Sequence, residues 1–263
     1  MSLTESSSRS SLTFVGLGLN GISNLSKEAF CALEEADQVF IESYTNFLEA
    51  DIQNSLISQF GKPVRVLFRA DLEQGEEAFL RLCRGKKVVL LVSGDPFIAT
   101  THVALRLSAI RKNIPVHIVH APSILSTAPA VTGLSAYRFG KTATITFQQS
   151  RYCYDILSAN LSIEAHTLFL LDIDVESRRF LDISTAISQL RNLEKEYNEN
   201  IFTETLFLFG LACVGTKNAT IRSGPPSKIS EFDWKSFGPP QSMIVCCKLQ
   251  TYEEEAIQHL WRK

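Results

Sequence analysis

The sequence predicts an α/β protein of two domains. The N-terminal one is built on a parallel sheet with helices on both faces, the C-terminal one on a mixed sheet. Three observations predict it. Short apolar runs alternate with helix-period segments through the first half. The run "VVLLV" is apolar at every position, as in a strand covered on both faces. Beyond residue 122 the apolar runs continue at longer and less regular spacing, which favours a mixed sheet.

The first eleven residues, "MSLTESSSRSS", are polar and serine-rich, and read as a disordered tail or an added remnant, not a secretory signal. Strands follow at Leu12–Val15, Val39–Ile41, Val64–Leu67, Val88–Val92 and Val116–Val119. Between them, one helix carries Ala29, Phe30, Leu33 and Ala36 on a face, capped by Asn24 or Ser26. Another carries Val103, Leu107 and Ile110 on its apolar face, and Gly85 closes a third ahead of "KKVVLLV". Strands joined through such helices imply right-handed crossovers. A boundary at "HAPSI" gives domains 12–122 and 123–263. In the second, "TATITF", "HTLFLLDID", "TLFLFGLACVG" and "QSMIVCCKLQ" read as strands, and Ile183, Ile187, Leu190 and Leu193 line one helix face. Pro-rich "SGPPSK" and "FGPPQS" read as surface turns.

Composition narrows the function. Charge is balanced, 26 basic against 28 acidic residues, so no extended nucleic-acid-binding face is expected. The most apolar run, "LFLFGLACVG", is too short to span a bilayer, and the chain reads as soluble and cytoplasmic. The six cysteines form no C-x-x-C pair, which predicts reduced core thiols in place of a disulfide or metal framework. His117 and His120 are an odd number of positions apart, so on a strand they face opposite ways and share no metal. No metal site is predicted.

The spacing Gly16-x-Gly18-x-x-Gly21 after the first strand matches a dinucleotide loop, with Glu42 available as the acidic residue of that pattern. Such a loop must open directly into a helix, whereas here the first apolar-periodic residue is Ala29. Ligands of an open parallel sheet bind beyond the carboxyl ends of its strands. The glycine loop, "SGDPFIATTH" and "HAPSILS" all fall there. Asp95 is the carboxylate of that edge, unless it only caps the helix that follows.

The blocks "FVGLGL", "EADQVFIESYT", "GDPFIATTH", "IPVHIVHAPSI", "TGLSAYRFGKTATI" and "HTLFLLDI" resemble diphthine synthases, methyltransferases of the tetrapyrrole-methylase fold, from Phe14 to about Leu249. The resemblance implies a homodimer that holds S-adenosylmethionine in a cleft between the two domains. Residue by residue, its cofactor contacts match Leu19, Asp95, Ile98, Ser123, Ile124, Leu171 and Val214, with Gln241 standing where the family has a histidine. A carboxylate suits the cofactor's hydroxyl or ammonium groups, and Leu, Ile and Val suit its adenine. The third glycine is then incidental. "NLS" (residues 24–26) replaces the family's "DIT", keeping a capping residue without the charge. The implied acceptor is elongation factor 2, at a histidine bearing a 3-carboxy-3-aminopropyl arm. Glu42, Tyr44, Tyr137, Arg138 and Lys141 are polar groups near that cleft, with no general base singled out. The resemblance also implies a trimethylated amine in place of a further ester, because "DVESRRFLDIS" joins "LLDI" to the next helix without the acidic insertions of the family's ester-forming members. Other readings are a methyltransferase of the same fold acting on a corrin precursor or RNA, a nicotinamide oxidoreductase, or a non-catalytic binding module.

Overall fold

The computed structural model describes residues 10–45 and 50–261, which form two compact units divided between Ser123 and Ile124. Residues 1–9 of the expected tail lie outside the described residues. Ser10 and Ser11 do not belong to a tail. Ser10 Oγ accepts the Gly85 N–H at 2.8 Å. Ser11 donates its N–H to Lys86 O at 3.0 Å, because the pairing with the neighbouring strand begins one residue before the apolar run.

The first unit runs β1 (Ser11–Gly16), α1 (Lys27–Glu35), β2 (Gln38–Glu42), α2 (Ala50–Phe60), β3 (Val64–Leu67), α3 (Arg69–Glu73) and α4 (Glu76–Leu82). It continues with β4 (Lys87–Val92), α5 (His102–Arg111) and β5 (Val116–Val119). All pairings are parallel, in the order β3-β2-β4-β1-β5. Two cores cover the sheet. Leu12, Phe14, Phe40, Leu90 and Val92 pack on one face, and Val15, Val39, Ile41, Val89 and Leu91 on the other. That is why β4 shows no polar alternation. The chain leaves β1 toward β2 and leaves β4 toward β5, on opposite sides. Between these two adjacent strands lies the switch point at which open sheets of this kind bind ligands.

One helix is turned over relative to expectation. On α5 the buried residues are His102, Leu105 and Ala109. Val103, Leu107 and Ile110 are about half exposed. Both sets fit a helical period, and the structure seats the one that carries the histidine.

The second unit comprises α6 (Ile124–Thr132), β6 (Ala143–Ile145), α7 (Arg151–Ser162), β7 (Thr167–Leu171), the hairpin β8 (Ile173–Asp174) and β9 (Arg179–Phe180), and α8 (Ile183–Tyr197). It ends with β10 (Phe207–Ala212), β11 (Thr220–Gly224), α9 (Pro226–Ser230), β12 (Gln241–Cys246) and α10 (Thr251–Trp261). The sheet order is β11-β10-β12-β7-β6. Only β6–β7 is parallel there, so the sheet is mixed. Ile183, Ile187, Leu190 and Leu193 are the buried stripe of α8, as the period predicts. "SGPPSK" is no simple surface turn: Pro226 opens α9 and is buried with Ile229, a proline at the first helical position losing no hydrogen bond.

Candidate functional site

The loop after β1 closes on the loop after β4. Gly18 and Gly94 exchange backbone hydrogen bonds at 3.1 and 2.9 Å. A Cβ on Gly16 would lie 2.6 Å from both Ala121 Cβ and Gly94 O, so only glycine lets these backbones approach. Asn24 holds the first loop by accepting the N–H groups of Leu19 at 3.1 Å and Asn20 at 2.8 Å. Ser26 is the helix cap, accepting the Ala29 N–H at 3.1 Å. Gly21 is not incidental. It has φ +57°, is buried beside Ile52, and opens a 3-10 turn, Gly21–Asn24. Helix α1 begins only at Lys27, so no helix N-terminus follows the glycines as a dinucleotide loop requires.

Asp95 is buried, at 8% exposure, and does not cap α5. Its Oδ1 accepts the Phe97 N–H at 3.0 Å, while Oδ2 accepts His120 Nδ1–H at 2.7 Å and the Ala121 N–H at 3.3 Å. One carboxylate thereby fastens the loops after β4 and β5, and Ile98, half buried, donates its N–H to the Asp95 carbonyl at 3.2 Å in the first of them. Next to Asp95, the space where Gly94 would carry a Cβ is open to 4 Å. Leu19, Asp95 and Ile98 are thus joined through bonded loops, and Ser123, also buried, lies two residues beyond Ala121. In the sequence His120 stands out only as a metal ligand shared with His117, a role that strand geometry excludes. Its place just beyond a strand end, opposite "GDP", was the available signal.

In the second unit, Leu171 ends β7, Gln241 begins β12 and Val214 follows β10. These strands are neighbours, with Ala212 opposite Gln241 and Leu170 opposite Ser242, so the three buried residues share one sheet edge. Ile124 is the first residue of α6. The Gln241 amide is engaged within the unit. Nε2 donates to Trp234 O at 2.7 Å and Gly238 O at 2.9 Å, and Oε1 accepts the Ile183 N–H at 3.1 Å. Both donors are spent; only an acceptor lone pair remains.

The other polar groups separate by environment. Glu42 is buried and accepts the N–H groups of Tyr44 and Thr45, at 3.1 and 3.2 Å, closing the turn after β2. Arg138 is half buried and pairs with Glu253, which has no exposure. Glu253 also accepts from His166 Nε2 at 3.0 Å and from the N–H groups of Ser135 and Gln250. Burial raises the Glu253 pKa, but these donors outweigh it and hold the carboxyl below its usual range. Burial lowers that of His166 and keeps it neutral. Arg138 is therefore a structural cation. Lys141 Nζ lies over the Tyr152 ring at 5.2 Å, and Tyr137 is fully exposed. Among the described residues no three His, Cys, Asp or Glu side chains are grouped to hold a metal ion, and no helix is long and apolar enough to cross a membrane.

Residues 11–203 match the family Tetrapyrrole (Corrin/Porphyrin) Methylases. The chain is 37% identical over 254 residues to the diphthine synthase of Methanocella arvoryzae, spanning 95% of this chain and 97% of that one. It is 34% identical over 251 residues to that of Methanosphaera stadtmanae, spanning 94% of each. This chain belongs to the diphthine synthase family of tetrapyrrole methylases. A crystal structure of a diphthine synthase superposes with a TM-score of 0.85 at 34% identity, covering 96% of both chains. As a family member the chain is an S-adenosylmethionine-dependent methyltransferase.

Proposed function

We propose that this methyltransferase acts in diphthamide biosynthesis, methylating the amine of the 3-carboxy-3-aminopropyl arm on a histidine of elongation factor 2. The observation that carries the reading is the Asp95 carboxylate, fixed by His120 and Ala121 beside open space at Gly94 on the switch-point edge. The residues there fit the cofactor. Asp95 keeps acceptor capacity for hydroxyl or ammonium donors, and Leu19 and Ile98 offer half-buried apolar surface. Ser123 belongs to the same set. Leu171, Val214 and Ile124 are the proposed contacts of the second unit, where Gln241 serves to hold the edge in shape.

S-adenosylmethionine supplies an electrophilic methyl group on a sulfonium that leaves as a neutral thioether. What the chain must do is align the acceptor amine, exclude water and let the amine lose its proton before each transfer. Loops tied by backbone pairs and a buried carboxylate suit alignment, because they do not have to reorganise when the substrates arrive. The protein works as a homodimer in this reading, which the exposed row Val103, Leu107 and Ile110 supports.

Transfer of a labelled methyl group to elongation factor 2 carrying the unmethylated arm tests the reading. Label on the factor is expected. Label found only on a corrin precursor or on RNA would replace it, and cofactor binding without transfer to any acceptor would reduce the chain to a binding module.

A further inference from the structure

We propose that His102, backed by Tyr44, is a positioning residue that holds the Asp95–Ala99 loop in the shape that receives the cofactor. The inference rests on the reading that this loop contacts S-adenosylmethionine.

Ala99 has φ +57°, a left-handed conformation that a residue with a Cβ avoids, and its own side chain is exposed. Nothing at Ala99 itself offsets that strain, so the surroundings must impose it. They do so through one carbonyl. Pro96 O accepts Thr100 Oγ1 at 2.7 Å and His102 Nδ1 at 2.9 Å, reaching back across the strained residue. Asp95 fixes the start of the same turn through the Phe97 N–H, and its carbonyl accepts the Ile98 N–H at 3.2 Å. The direction Ile98 takes is thus set by a clamp on each side.

His102 is only 1% exposed, with its ring near Phe14 and Tyr44. A carbonyl only accepts, so Nδ1 carries the proton. With Nδ1 donating to that carbonyl, Nε2 and the Tyr44 hydroxyl make the second hydrogen bond of the ring, at 3.0 Å. Burial pushes the Tyr44 phenol up, which keeps it a donor. A leucine would fill the same space on α5, so the imidazole is explained by its two hydrogen bonds.

The test is a double-mutant cycle read by calorimetry with S-adenosylmethionine. His102→Leu is expected to weaken binding about tenfold or more, the loss of a buried hydrogen bond that shapes the loop. His102→Asn, whose amide nitrogen falls near the Nδ1 position, should retain more affinity than the leucine variant. Ala99→Gly removes the strain, and should recover most of the affinity in the His102→Leu background while changing little in the wild-type background. A merely structural histidine would give the glycine the same factor in both. Unchanged affinity in folded His102→Leu, or additivity in the cycle, overturns the inference. Should His102→Leu fail to fold, Tyr44→Phe takes its place in the cycle under the same criteria. A wild-type chain that binds no S-adenosylmethionine overturns the cofactor reading as well, whereas intact wild-type binding with unaffected variants overturns this inference alone.

Discussion

His120 donates from Nδ1 to Asp95 Oδ2 at 2.7 Å, so a single carboxylate joins the loop that follows β4 to the one that follows β5. Asp95→Ala is therefore expected to act twice. It should weaken S-adenosylmethionine binding by about 1.5–3 kcal/mol, the worth of a charge-assisted hydrogen bond. It should also lower stability by roughly 1–2 kcal/mol, because buried N–H groups lose their acceptor. A carboxylate on a loop edge, as the sequence places Asp95, implies little change in folding; its burial and three protein donors imply the larger cost. Calorimetry and urea unfolding check the two effects separately. Weaker folding with unaltered affinity would move the pocket elsewhere.

Gln241 occupies the position where the family has a histidine. The sequence alone implies that Gln241→His leaves cofactor affinity equal or better. The structure implies a cost to folding, since a neutral imidazole supplies one donor and one acceptor where two donors and one acceptor are in use. A loss of about 1–3 kcal/mol is expected in urea unfolding, one buried partner being left unmet. An equally stable variant would show that this edge rearranges around a histidine.

The buried Glu253 and His166 make stability pH-dependent. Burial and the Glu253 donors, respectively, leave His166 below its ordinary 6.5 and Glu253 below its ordinary 4.5. In each case the unfolded chain binds the proton more readily. The stabilisation is complete above pH 6.5 and is lost as pH falls, first through the imidazole and then through the carboxylate. Glu253→Gln strands the Arg138 cation and should cost roughly 3–5 kcal/mol at neutral pH. It should also flatten the acid limb of the stability curve below pH 4.5. Unfolding midpoints measured from about pH 2 to pH 8 decide it; an acid limb unchanged in the variant would contradict the assignment.

Val103, Leu107 and Ile110 lie on one exposed face of α5. If that face joins two copies, Leu107→Arg should convert a dimer to a monomer in sedimentation equilibrium. A dimer that survives the change places its interface elsewhere.

The product is expected to carry a trimethylated amine and no ester. Mass spectrometry of the modified elongation factor before and after mild alkali reads this directly. Loss of a methyl group to alkali would identify an ester and leave the methyltransferase assignment standing.

Local chemistry determined much of this protein. The five strands of the first sheet, the buried stripe of α8 and the Ser26 cap follow from apolar period and capping rules, which act within a few residues. The motif blocks "GDPFIATTH" and "YRFGKT" carried the family, since such runs name themselves without a fold. Tertiary structure decided the rest. Which face of α5 is buried could not be read from a helix with two apolar stripes, because the choice depends on what the sheet offers it. The strand β11, "TIRSG", has a single strongly apolar residue and exists by pairing with β10. Gly16, Asp95, His120 and Ala121 are separated by up to 105 positions and meet only where parallel strands end together, so one sequence window never contains them. The Tyr44–His102 bond is of the same kind, joining the turn after β2 to the start of α5, whereas Pro96 and His102 meet within one local segment.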